Sequence, residues 1–142
     1  MGKIFLHISL APDQYLGHVD PATGRVHESR LGPDRYVGHV ELDTGKVYHA
    51  RLGPDEYLGH VDLTSGKTYH TKFGPDEYMG RVRADGRLYQ HVRLGFDRYL
   101  GRVDDMRSTA EGGAAFLLFF YEGRTNEDEM VDESQPQEAE TD

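Results

Sequence analysis

Apolar and polar positions alternate over short stretches of this chain and never settle into a helical period before residue 105. LGPDRYVGHVELDTGKVYHAR (Leu31–Arg51) and LGPDEYLGHVDLTSGKTYHTK (Leu52–Lys72) are copies of one another. LAPDQYLGHV at Leu10, FGPDEYMGRV at Phe73 and LGFDRYLGRV at Leu94 continue the series. Tyr15, Tyr36, Tyr57, Tyr78 and Tyr99 recur every 21 residues, and so do the glycines and valines that follow them. A fixed period of this kind marks a repeat architecture. Each unit reads as strand, Gly-Pro-Asp turn, strand, Thr-Gly turn. Proline fits the first central position of a type I turn, and glycine supplies the positive φ of a hairpin loop. Asp85-Gly86 contracts that loop in the fourth unit. Five units between Gly2 and Asp104 predict an all-β fold of about ten short antiparallel strands. Closure into a pseudo-five-fold meander removes the exposed strand edges, and an open β-meander is the alternative.

A four-residue Gly-Pro-Asp-x loop sets an expected register in which Leu52 opposes Tyr57, Ala50 opposes Gly59 and Tyr48 opposes Val61. That face is then the core, with the tyrosines in it. The other face collects a row of His7, His18, His39, His49, His60, His70, Arg81, His91 and Arg102, with His49 opposite His60. Seven of the eight histidines fall in it. Arg30, Arg51, Lys72 and Arg93 form a second row, expected to lie over Val37, Leu58, Met79 and Leu100. Beyond the histidines come Asp20, Glu41, Asp62 and Asp104, with Arg83 in the remaining place. Asp13, Asp34, Asp55, Asp76 and Asp97 read as turn residues, each alone in its corner and bonding its own loop.

The repeat ends at Asp104. Ala114–Tyr121 is the most apolar stretch of the chain and far too short to span a bilayer as a helix. Its alternation fits a strand, while Ser108 followed by Thr-Ala-Glu fits a helix start. In either form it is expected to cover or plug the apolar face of the hairpin array. Otherwise it is a surface for self-association.

Net charge is −9, but residues 122–142 carry nine acidic residues and one basic, which leaves the repeat region near neutral. This tail has no aromatic residue and no apolar period, so disorder is expected, with a possible role in docking a basic partner. The expected division is a single hairpin-repeat domain over 1–121, with repeats over 2–104 and a capping segment over 105–121, followed by the tail. Cysteine is absent, so thiol chemistry and disulfides are excluded. Met1–Leu10 does not read as a signal peptide, which suggests a cytoplasmic protein.

Tyr-x-Gly-x-Val followed by Gly-Lys-x-Tyr resembles the hairpin units of MORN-type repeats, without their usual tryptophan and second glycine pair. It is also similar to bacterial β-flower domains, in which short hairpins surround a pseudo-symmetry axis. The first resemblance implies scaffolding of membranes or proteins, and the second implies no established activity. Neither supplies catalytic residues. No Ser/His/Asp, Cys/His, phosphate-loop or metallohydrolase pattern is present, so a non-enzymatic interaction or structural module without a cofactor is expected. The alternative is an anion- or metal-binding protein using the His/Arg row. Nucleic acid is disfavoured as a partner, because the tail repels phosphate.

Overall fold

Why the chain closes on itself follows from its strand order. The computed structural model describes residues 1–71 and 74–120. Ten strands run through it: β1 (Gly2–Leu6), β2 (Gln14–Val19), β3 (Arg25–Glu28), β4 (Arg35–Val40), β5 (Lys46–His49), β6 (Glu56–Val61), β7 (Lys67–His70), β8 (Glu77–Val82), β9 (Arg87–Gln90) and β10 (Arg98–Asp104). Each pairs antiparallel with its sequence neighbours, and β1 pairs with β10 through Ile4 opposite Val103, so the sheet is a closed barrel. Lys72, Phe73 and the acidic tail at 122–142 lie outside the described residues, as does Tyr121.

Strand register differs from the one the turns suggested. His49 opposes Glu56 and Tyr48 opposes Tyr57, so the loop between them spans 50–55 rather than four residues. One position further, the register shifts: Val47 opposes Gly59, and Leu58 is the extra residue of a β-bulge. Equivalent shifts leave Leu16, Val37, Met79 and Leu100 as the extra residues elsewhere. A bulge defeats the period-two rule. Tyr57 before it and His60 after it, three positions apart, both face outward, while Leu58 and Val61 are buried. The tyrosines are therefore wall residues, not core, and the leucines assigned to the core are the most exposed residues of the loops. Val37 and Leu58 are buried within the barrel, so the arginines before the loop leucines do not lie over them.

The bulge also explains the repeated glycine. A Cβ on Gly59 would stand 2.1 Å from the Tyr69 carbonyl oxygen, and one on Gly101 would stand 2.1 Å from that of Phe5. Only a residue without a side chain lets the strands approach this closely.

Inside the barrel, Val19, Val40, Val61, Val82 and Val103 from alternate strands meet Ile4, Val26, Val47 and Leu88 from the others. Thr68 holds the corresponding place on β7 and is fully buried, its hydroxyl donating to the Gly66 carbonyl at 3.1 Å. The chain leaves β10 through Asp105, whose φ of 59° reverses its direction. It then re-enters the lumen as α1 (Thr109–Ala115), followed by a π-helical turn (Phe116–Phe120). Of the two sequence readings of this segment, the helix holds. A lone strand inside a closed barrel finds no free edge, whereas a helix satisfies its own backbone.

Helix propensity alone would not favour Gly112-Gly113, since each glycine costs roughly 1 kcal/mol against alanine. The lumen demands it. A Cβ on Gly113 would lie 2.3 Å from Val61 Cγ1, and one on Gly112 would lie 2.3 Å from Val82 Cγ1. Beyond this slim half of the plug, Phe116, Leu117 and Leu118 fill the rest of the core. The self-association surface expected of Ala114–Tyr121 is thus unavailable from Ala114 through Leu118, which are buried. Glu111 is buried too. Its Oε2 accepts from the Arg107 N–H at 3.1 Å and the Ser108 hydroxyl at 3.4 Å, and burial pushes its carboxyl above the ordinary range. No helix of the described residues is long and apolar enough to cross a membrane.

Candidate functional site

Two features remain on the outside of this plugged barrel: the wall of histidines and tyrosines, and the loop tips above it. The wall comes first, because it holds the residues singled out from sequence.

His18, His39, His60, Arg81 and Arg102 lie on the even-numbered strands and face outward. Across the strands His39 opposes Tyr48 and Arg25, and His60 opposes Tyr69 and Lys46. His49 faces Gly38 and Glu56, and His70 faces Gly59 and Glu77. The expected opposition of His49 with His60 does not occur. His7 and His91 sit in loops rather than strands. Gln90 fills the strand position that a strict 21-residue count assigns to His91, because the preceding Thr-Gly loop is shorter and the following loop, 91–97, is longer. His27, absent from the sequence-derived row, stacks on His18 at 5.4 Å between ring centroids. Its signal was its place opposite His18 across the tight hairpin.

What the row contacts was hidden from sequence. Tyr36 donates its hydroxyl to Asp55 Oδ2 at 2.6 Å, and His39 Nδ1 lies 2.8 Å from the same oxygen. Asp55 belongs to the next loop, so this contact ties one hairpin to its neighbour. His18 approaches Asp34 at 3.8 Å and His60 approaches Asp76 at 3.6 Å, each 16 positions ahead in sequence. Arg102 bonds Asp13, 89 positions earlier, and so ties the last strand to the first loop. The aspartates are therefore not isolated corner residues, although Asp13 also accepts from its own loop at the Ile8 N–H. Burial, then the hydrogen bond to Asp55 and its charge, push the Tyr36 phenol up to about 12. The Tyr36 hydroxyl, followed by His39, holds the Asp55 carboxyl below the usual range against partial burial.

These contacts set an expected pH response. A carboxyl whose folded value is depressed contributes stability above its unfolded value, and that stability is lost as pH falls toward the folded one. Asp55→Asn is expected to cost about 1–2 kcal/mol at neutral pH. The difference from the parent should shrink as pH falls below Asp55's ordinary value of 3.8. Thermal melts at neutral and acid pH measure it, and an equal deficit at both would remove the carboxylate from the account.

Several cations of the wall are paired with carboxylates. His49 meets Glu56 at 2.8 Å and Arg51 meets the same oxygen at 2.9 Å; Arg35 meets Glu28 at 2.8 Å. Among the described residues, no group of three or more His, Cys, Asp or Glu side chains gathers to hold a metal ion.

The tips are different. Relative exposure is 107% for Leu10, 100% for Leu31, 98% for Leu52 and 100% for Leu94. All four stand in the loops that join odd to even strands, at one end of the barrel, and Phe96, in the loop of Leu94, is 98% exposed. In two of these loops glycine carries the left-handed conformation, at Gly32 and Gly53. In the first loop Ala11 replaces that glycine, and Leu10 itself is left-handed at φ 62°; Leu94 is likewise at 63°. Comparison with protein-family models, curated proteins and solved structures finds no match for this chain.

Proposed function

We propose that this protein is a non-enzymatic interaction module, and that it docks a partner protein on the leucine-tipped end of its barrel. The observation that carries this reading is the full exposure of Leu10, Leu31, Leu52 and Leu94 on one end. An isolated exposed leucine is ordinary; a repeated set at one end marks a docking surface. Leu10 and Leu94 add support, since a bulky residue in the left-handed region costs about 1–2 kcal/mol and Asn or Gly would avoid it. Neither side chain packs against the core, so the barrel itself gains nothing from them. Four of the five units carry leucine at this position, and a repeated unit offers a regular surface of the kind repeat proteins use for binding.

The lumen supports the same conclusion from the other side. It is filled by the protein's own plug, so it offers no interior site. A photo-reactive residue placed at position 31, and separately at Thr44 in a Thr-Gly loop, tests the assignment. Cross-linked partner is expected from position 31 alone, and its loss is expected when Leu10, Leu52 and Leu94 are changed together to Ser. Equal labelling from both positions, or adducts indifferent to the leucine changes, would overturn it.

A further inference from the structure

Four departures from the commonest repeat residues, three in the fourth unit and one at the start of the fifth, border one cleft on the outside of β8. Arg81 stands where three units have histidine. Arg83 stands where the other units have Asp20, Glu41, Asp62 and Asp104. Ala84 belongs to the shortened loop, and Phe96 replaces the proline of Gly-Pro-Asp. The cleft has a volume of about 570 Å³, within the range of small-molecule sites, and Tyr89 and Asp97 also line it.

Its charge is as unusual as its sequence. In the fifth unit the acid at the Arg83 position compensates the cation before it: Asp104 Oδ1 accepts from Arg102 Nε at 2.8 Å. In the fourth, Arg83 takes that place, and Arg81 has Lys67 directly opposite on β7. Like charges in opposed positions are unfavourable unless something anionic joins them. Asp62, which holds the Arg83 position one repeat earlier, is turned into its own loop and accepts from the Thr64 and Ser65 N–H groups. Asp97 is the one carboxylate lining the cleft, and His91 already approaches it at 3.6 Å. Two arginines against one aspartate leave the cleft with one surplus positive charge.

Two aromatic groups complete the site. The Arg83 guanidinium lies 5.7 Å from the centroid of the Tyr89 ring, which steadies it. Phe96 is 98% exposed, so its face is free to stack on a flat ligand. We infer that this cleft binds a small planar aromatic anion, with Arg81 and Arg83 holding its carboxylate or phosphate and Phe96 covering its ring. Phe96 shares its loop with Leu94, but the arginines that hold the anion lie on β8 and just after it, so the site does not depend on the role of the leucine tips.

Titration of the full-length protein with indole-3-acetate, with AMP and with inorganic phosphate, followed by NMR or calorimetry, tests it. Saturable binding of an aromatic probe in the millimolar range or tighter is expected, with phosphate weaker. Whichever aromatic probe binds better decides between a carboxylate and a phosphate head. Arg83→Glu restores the acid of the other units and should weaken binding about ten-fold or more, the scale of one charge-assisted hydrogen bond. Phe96→Pro, which restores the usual turn, should erase the advantage of the aromatic probes over phosphate. Arg25→Glu is the matched control, because Arg25 lies over Tyr36 at 5.4 Å as Arg83 lies over Tyr89, but outside the cleft. No saturation by either aromatic probe, phosphate binding as tightly as both, or an equal loss with Arg25→Glu would each overturn the inference.

Discussion

Replacing Gly59 by alanine is expected to destabilise the barrel by about 3 kcal/mol or more, a large share of the stability of a small domain. The added methyl carbon would sit 2.1 Å from the Tyr69 carbonyl oxygen and 3.1 Å from His70 Cα. Both are backbone atoms, so no side-chain rotation relieves the contact. Either β6 and β7 separate, with loss of pairs such as Thr71 N–H to the Leu58 carbonyl at 3.0 Å, or the bulge unwinds. Unwinding would turn Leu58 or His60 to the wrong face. Gly53→Ala provides the comparison. At φ 90° it carries the left-handed penalty of about 1 kcal/mol, but nothing lies within 4 Å of its added carbon. Guanidinium denaturation of both variants measures the difference, and equal losses would show that close strand approach does not limit the barrel.

Phe116→Ala should cost about 3–5 kcal/mol, the usual range for emptying a buried phenylalanine. Phe116 is 1% exposed and is the largest fully buried side chain of the described residues. It stands at the junction of the plug's two halves. Its ring reaches the Gly80 bulge, where a Cβ would lie 2.8 Å from two of its carbons. Closed barrel walls cannot collapse onto a cavity as loops can, so the loss should fall toward the upper end of the range. Phe116→Leu keeps most of the volume and should lose less than half as much. The same denaturation series tests both, and a loss below about 1 kcal/mol for the alanine variant would mean that the plug is not a structural member of the core.

Both variants bear on the binding surfaces indirectly. The tips and the β8 cleft are built on loops, and the strands beneath them hold those loops in place only while the plug supports the wall. The Asp55 and Arg102 contacts serve the same end, each tying a loop to the strand of a neighbouring hairpin.

Much of this architecture was legible in the chain. The 21-residue period, the two turn chemistries and the short β-rich runs determined an all-β meander of ten strands. The advantage of removing edges determined closure, and the apolar segment after the repeat determined that something covers the interior. These are local or compositional facts, and neighbouring residues suffice to encode them. Register was not legible. A Gly-Pro-Asp motif fixes the chemistry of a turn but not how many residues lie outside the last hydrogen-bonded pair. A bulge at Leu58-Gly59 reverses the inside and outside of every residue before it. Tyr57 and Leu52 left the core for that reason, and the leucine tips emerged from it.

The functional features show the same division. Sequence alone put Arg81 in the His/Arg row and noted Arg83 in an acid's place. Only the tertiary structure put Phe96, from the following loop, beside them. It alone set Asp55 against His39, residues whose relation depends on how adjacent hairpins pack. The helical form of 109–120 was likewise decided by the closed barrel, since within it a strand has no edge to join and glycine is the residue that fits between Val61 and Val82. Sequence determined which pieces repeat; the packing of those pieces around a narrow lumen decided which side chains meet water.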